Sequence, residues 1–118
     1  MLPTDPYDRT CQASCQATAA LPVVHLDESF AVIDKPAGLM VHDSALARGE
    51  TDFASDRLRA QFGQPVFLVH RLDRATSGCL LLAFDRETAS ALGKAWMAGE
   101  VRKDYLAVCR GWLAEARF

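Results

Sequence analysis

Apolar and polar positions divide the chain into short elements. Val23-Val24-His25-Leu26 and Phe30-Ala31-Val32-Ile33-Asp34 are β-branched runs separated by the polar Asp27-Glu28-Ser29, which predicts a hairpin. Lys35-Pro36-Ala37-Gly38 ends the second run, because Pro lacks the N–H that a ladder needs and Gly admits positive φ. Leu39-Met40-Val41-His42 then resumes an extended stretch. Thr51 is placed to cap a helix from about Asp52 to Phe62, turning Phe53, Leu58 and Phe62 towards a core and Arg57 and Arg59 outward; Gly63 and Pro65 stop it. Val66-Phe67-Leu68-Val69 and Cys79-Leu80-Leu81-Leu82-Ala83-Phe84 read as buried strands. Asp85 caps a second helix with Ala89, Leu92 and Trp96 on one face and Gly99 at its end. From Val101 to Trp112 the chain alternates and then turns apolar, which predicts a last strand. The interleaving predicts an α+β fold: a mixed, mainly antiparallel sheet with helices packed on it. Residues 1–20 hold Pro3, Pro6 and polar positions with no apolar period, and read as a flexible N-terminal arm ahead of a domain over residues 21–118.

Composition narrows the function classes. The 118 residues are of one-domain size and 50% are apolar, enough to fill a core, which excludes disorder throughout. A formal charge of -2 excludes a global positive field, so contact with nucleic acid requires a local basic patch. Of the 13 basic residues, 10 are Arg, whose planar fork suits phosphate; a preference for arginine codons explains the same bias. The absence of a signal peptide or a spanning apolar run points to a cytoplasmic protein with no membrane contact and reduced thiols. Cys11-x3-Cys15 has no second close pair, so no metal site is expected; Cys79 and Cys109 lie within apolar patterns and read as small buried hydrophobes.

One polar stretch stands out between the two buried runs: His70-Arg71-Leu72-Asp73-Arg74-Ala75-Thr76-Ser77-Gly78. Thr76-Ser77-Gly78 makes a tight turn back towards the sheet, so the loop is held at both ends by core. Asp73 has three possible jobs there: a carboxylate paired to Arg71 or Arg74, the cap of a short turn, or a nucleophile or general base. Tyr105, on the expected last strand, is a core tyrosine with its hydroxyl at the rim or a functional ring. His42 and His70 read as hydrogen-bonded structural histidines, and neither is assigned to catalysis.

His70-Arg71-Leu72-Asp73 followed by Thr76-Ser77-Gly78 resembles the signature of the RluA-type pseudouridine synthases, which isomerise uridine to pseudouridine in structured RNA. Two further segments agree in order: Asp27 to Asp34 with Lys35-Pro36-Ala37-Gly38 and Val41-His42, and Lys103-Asp104-Tyr105-Leu106-Ala107-Val108 with Arg110-Gly111. The resemblance spans about Leu21 to Leu113. It implies that Asp73 is the catalytic aspartate that attacks the target nucleoside, at the uracil ring or at ribose C1′. Tyr105 matches the tyrosine that stacks on the target uracil, and Arg71 an arginine that enters the RNA where the flipped uridine was. Flipping fits the chemistry, since a stacked nucleoside hides its reacting atoms and extrusion costs only a few kcal/mol. Arg74 and Lys35 are candidate substrate-binding residues on the RNA path, with surface ion pairing and a plain turn role as their alternatives. No metal or organic cofactor is implied. Loop details are most similar to the branch of the family that modifies tRNA in its T-stem region, although ribosomal-RNA members share the central motifs.

The family's catalytic domain extends beyond the length matched here, with a later segment whose arginine pairs with the catalytic aspartate. The expectation is therefore the N-terminal part of a pseudouridine synthase catalytic domain, from a fragment, a truncated gene or a chain completed by another. On that reading the 118 residues alone are poorly stable and inactive, because a carboxylate without its fixed cation loses orientation. The rival is an inactive RNA-binding or interaction module that keeps the fold.

Overall fold

The computed structural model describes residues 19–44 and 49–115. Its centre is a four-stranded antiparallel sheet built from β1 (Val23–Leu26), β2 (Phe30–Lys35), β3 (Phe67–Leu68) and β4 (Gly78–Ala83) in the order β1-β2-β4-β3. Among the described residues two helices, α1 (Ala54–Phe62) and α2 (Arg86–Met97), complete the α+β layout. The arm expected over residues 1–20 falls almost wholly outside the described residues, as do Cys11 and Cys15.

The β1–β2 hairpin closes on Asp27. Its Oδ1 accepts from the N–H groups of Ser29 and Phe30 at 2.8 and 2.9 Å, the side-chain turn that Asp favours. The bond to His25, then those to Phe30 and Ser29, holds its carboxyl below the ordinary value. β2 and β4 form the sheet's central ladder, from Phe30 opposite Ala83 to Lys35 opposite Gly78. The period of two sends Ala31, Ile33, Leu80 and Leu82 into one buried layer against Leu58 of α1, with Leu39, Val41 and Val66 around them.

Helix α1 begins differently from expectation. Phe53, not Thr51, occupies its cap position, with no side-chain bond. The backbone carbonyls of Met40 and Val41 accept from Ala54 and Ser55 N–H at 2.8 and 2.9 Å, so the resumed stretch after the Pro turn serves as the cap. Asp52 instead binds Arg57, whose side chain is mostly covered rather than outward. Gln61 grips the backbone of Leu21 in both directions, at 2.8 and 2.9 Å, and fixes where the chain enters the core. Helix α2 has the predicted cap, with Asp85 accepting from Thr88 N–H at 2.7 Å.

The expected last strand does not form among the described residues. Residues 101–115 carry no strand and no backbone hydrogen bond to the rest of the fold, and Leu106, Val108 and Trp112 are fully exposed. Alternation marks a strand only where a neighbouring ladder accepts it. Cys79 and Cys109 are likewise exposed rather than buried. Cys79 falls on the odd positions of β4, opposite in facing to Leu80 and Leu82, and Cys109 shares the exposure of its segment.

Candidate active site

The loop joining β3 to β4 is anchored by alternate residues. Leu72 is buried in the core, whereas Arg71 and Asp73 on either side are exposed. Asp73 therefore projects from a backbone whose neighbour is packed, and its carbonyl accepts from Thr76 N–H at 3.0 Å to close the turn. Gly78, at φ 119°, returns the chain to β4 in a conformation that side-chain-bearing residues rarely adopt.

The Lys35-Pro36-Ala37-Gly38 turn latches this loop from below. Gly38 N–H donates to Arg74 O at 2.7 Å, and Arg74 Nε donates back to Gly38 O at 3.1 Å. Lys35 ends the inward row of β2 and is fully buried, its Nζ donating to the carbonyls of Pro36, Leu39 and Arg74 at 2.8, 2.8 and 3.4 Å. Burial holds the ammonium below its ordinary value, and the negative charge of Asp73 pulls the other way. The RNA contact expected of Lys35 does not fit this placement, since its ammonium has no exposed surface and its donors are spent on backbone. Arg74 is also engaged within the fold, with Nη1 2.8 Å from Glu50 Oε1. Arg71 makes no ion pair among the described residues.

His70 clips the start of the loop to the sheet. Its Nε2 is 2.9 Å from Leu81 N–H, a backbone donor, so Nε2 accepts and the proton sits on Nδ1, 3.3 Å from Arg71 O. Burial pushes the imidazole below its ordinary value; the bond to Arg71 opposes this and the charge of Lys103 adds to it. His70 stacks on Trp96 at 4.2 Å, and Lys103 Nζ stands 5.1 Å from the same indole. Trp96, read in the sequence as one of several core-facing helix positions, is thus a platform for side chains from two other segments.

A cleft of about 830 Å³ opens beside the loop. Leu72, Ala75, Thr76 and Ser77 of the loop, Val32, Cys79 and Leu81 of the sheet, and Lys103 and Tyr105 of the segment after α2 line it. The volume lies within the range of small-molecule sites. Tyr105 is 64% exposed and borders the cleft. Asp73 is exposed next to the cleft without being part of its lining. Among the described residues no group of three or more His, Cys, Asp or Glu is arranged to hold a metal ion. No helix among them is long and apolar enough to cross a membrane.

The profile of the RNA pseudouridylate synthase family matches residues 29–117, which include the latch, the loop and the Tyr105 segment. The chain belongs to that family. It is 46% identical over 95 residues to tRNA pseudouridine synthase C of Vibrio vulnificus, covering 80% of this chain and 39% of that one. The Vibrio cholerae protein of the same name is 45% identical over 96 residues, covering 81% and 39%. Human RNA pseudouridylate synthase domain containing 4 superposes with a TM-score of 0.56 at 29% identity, over 77% of this chain and 35% of the other. The chain thus spans about two fifths of the length of these Vibrio relatives and 35% of the human chain. The α+β layout and the resemblance read from the sequence both stand.

Proposed function

We propose that this chain carries chemistry for isomerising uridine to pseudouridine in RNA, in tRNA rather than ribosomal RNA, with Asp73 as the attacking carboxylate. The observation that carries the reading is the exposed Asp73 on a loop latched at Gly38 and Arg74, next to a cleft that Tyr105 borders. The target uridine swings out of its stack so that its ring and ribose C1′ come within reach of the carboxylate. The bond between N1 and C1′ breaks, the uracil rotates, and C5 joins C1′ as the carboxylate is released from the atom it attacked; the C5 hydrogen leaves as a proton and N1 takes one up. Tyr105 stacks on the uracil and Arg71, free of ion pairs among the described residues, fills the space left in the RNA. The preference for tRNA is supported by the names of the relatives, and a cytoplasmic location goes with that substrate.

The test is release of tritium from C5-labelled uridine in tRNA transcripts by the longest natural form of the protein and by its Asp73→Asn variant. The proposal expects release from the wild type and none from the variant, with RNA affinity little changed. Persistent release from Asp73→Asn removes Asp73 from the reaction. A second reading, an RNA-binding module without the reaction, is favoured by the absence of an ion-pair partner for Asp73 among the described residues and by its position outside the cleft lining. Tight RNA binding with no tritium release by the wild type decides for it.

A further inference from the structure

We infer that Trp96 is a positioning residue: by holding both the His70 imidazole and the Lys103 ammonium against its indole, it sets the aspartate loop and the Tyr105 segment in register across the cleft. This rests on the proposed reaction for its functional consequence, but its geometry is independent of it.

Residues 101–115 need such a tether. They have no backbone hydrogen bond to the rest of the fold among the described residues, and the ion pair of Arg102 with Asp104 is internal to the segment. Lys103 over Trp96 ties the segment to α2 two residues before Tyr105, which borders the cleft. On the loop side, His70 is three residues before Asp73 and is held twice, by stacking at 4.2 Å with rings 17° from parallel and by the bond from Leu81 N–H. Trp96 itself sits near the end of α2, a helix with no fully buried residue, so it is not committed to the core. Trp96 and His70 are also common to the first cleft and to a second of about 730 Å³ lined by His42, Arg59 and Arg71, so the stacked pair borders both. A cation over an indole and a stacked aromatic pair are each modest in energy, yet directional, which is what positioning requires.

The experiment compares Trp96→Phe and Trp96→Leu with wild type in the full chain, using tRNA transcripts. Trp96→Phe keeps an aromatic face and is expected to stay within about threefold of the wild-type kcat, whereas Trp96→Leu should lose about 10- to 100-fold in kcat with KM changed less than about twofold. A leucine variant with wild-type kcat overturns the inference. So does a loss in both variants that follows their melting temperatures, because that is the signature of packing alone. NMR gives the readout that does not need activity: the ring protons of His70 and of Tyr105 should both shift in Trp96→Leu and largely recover in Trp96→Phe. If His70 shifts and Tyr105 does not, the indole does not connect the two segments. If the wild type forms no pseudouridine, the proposed reaction fails, and the two ring signals still decide the tether.

Discussion

The ammonium of Lys35 reaches the carbonyl of Arg74 across 39 residues of chain, at 3.4 Å, and the same carbonyl accepts from Gly38 N–H at 2.7 Å. The residue after the proposed nucleophile is therefore fixed by two donors from one turn, and one of them is a fully buried charge. Substituting Met keeps the length of the side chain and removes the donors, leaving the carbonyls of Pro36 and Leu39 without this partner. Lys35→Met is expected to cost about 1–3 kcal/mol in urea unfolding, the penalty of buried acceptors left open. It should also lower pseudouridine formation at temperatures where the variant is fully folded, since Asp73 loses its support. An unchanged unfolding midpoint would show that the three bonds contribute nothing net.

His70 makes stability depend on pH with a definite sign. Burial holds its folded value below 6.5, so between that value and 6.5 the unfolded chain takes up a proton that the native chain does not. The stabilisation is complete above 6.5 and declines as pH falls towards the folded value, where the protonated Nε2 can no longer accept from Leu81 N–H. Unfolding measured from about pH 7.5 to about pH 5 should show the wild type losing up to about 1.4 kcal/mol per pH unit more than His70→Asn, whose amide oxygen accepts without titrating. Parallel curves for the two proteins would remove His70 from the acid response.

Tyr105 separates fold from chemistry. At 64% exposure and without a strand beneath it, the ring carries little of the stability. Tyr105→Leu is expected to melt within about 0.5 kcal/mol of wild type, as surface substitutions do. Its rate of pseudouridine formation should drop about 10-fold or more if stacking on the uracil is lost, aromatic contacts with bases being worth about 1–3 kcal/mol. Tyr105→Phe then distinguishes the ring from the hydroxyl: full recovery assigns the role to stacking, and continued loss assigns it to proton movement.

The elements were legible where local chemistry alone decides them. Asp27 closing the hairpin, Asp85 capping α2 and Gly63 ending α1 with φ 63° are each satisfied within a few residues of chain. Helix α1 escaped in its first turn because its cap is supplied by the carbonyls of Met40 and Val41, which are distant in sequence. Lys35 was legible by parity, since Ala31, Ile33 and Lys35 share one face of β2, but its charge pointed away from the core that it occupies. The same parity separates Cys79 from Leu80. The strand expected from Val101 to Trp112 does not form among the described residues, because a strand is a property of two segments and the pattern describes one. Trp96 carried no distinguishing signal, as its partners His70 and Lys103 meet it only in three dimensions.

Leu80 and Leu81 are chemically identical neighbours with opposite facings, which makes them a test of the sheet itself. Leu80 is fully buried opposite Ile33 in the ladder, whereas Leu81 pairs with Val32 and lines the cleft. Truncating Leu80 opens a void in a layer closed by Leu58 and Leu82, so Leu80→Ala is expected to cost about 2–5 kcal/mol. Leu81→Ala removes side chain from a surface already in contact with solvent and should cost less, about 1 kcal/mol, because no sealed cavity remains. Its effect belongs to the cleft instead: a wider cleft beside Tyr105 weakens the grip on a flat base, raising KM for RNA while the unfolding midpoint moves little. Equal losses of stability in the two variants, or the larger loss in Leu81→Ala, would mean that the sheet presents the other face to its core.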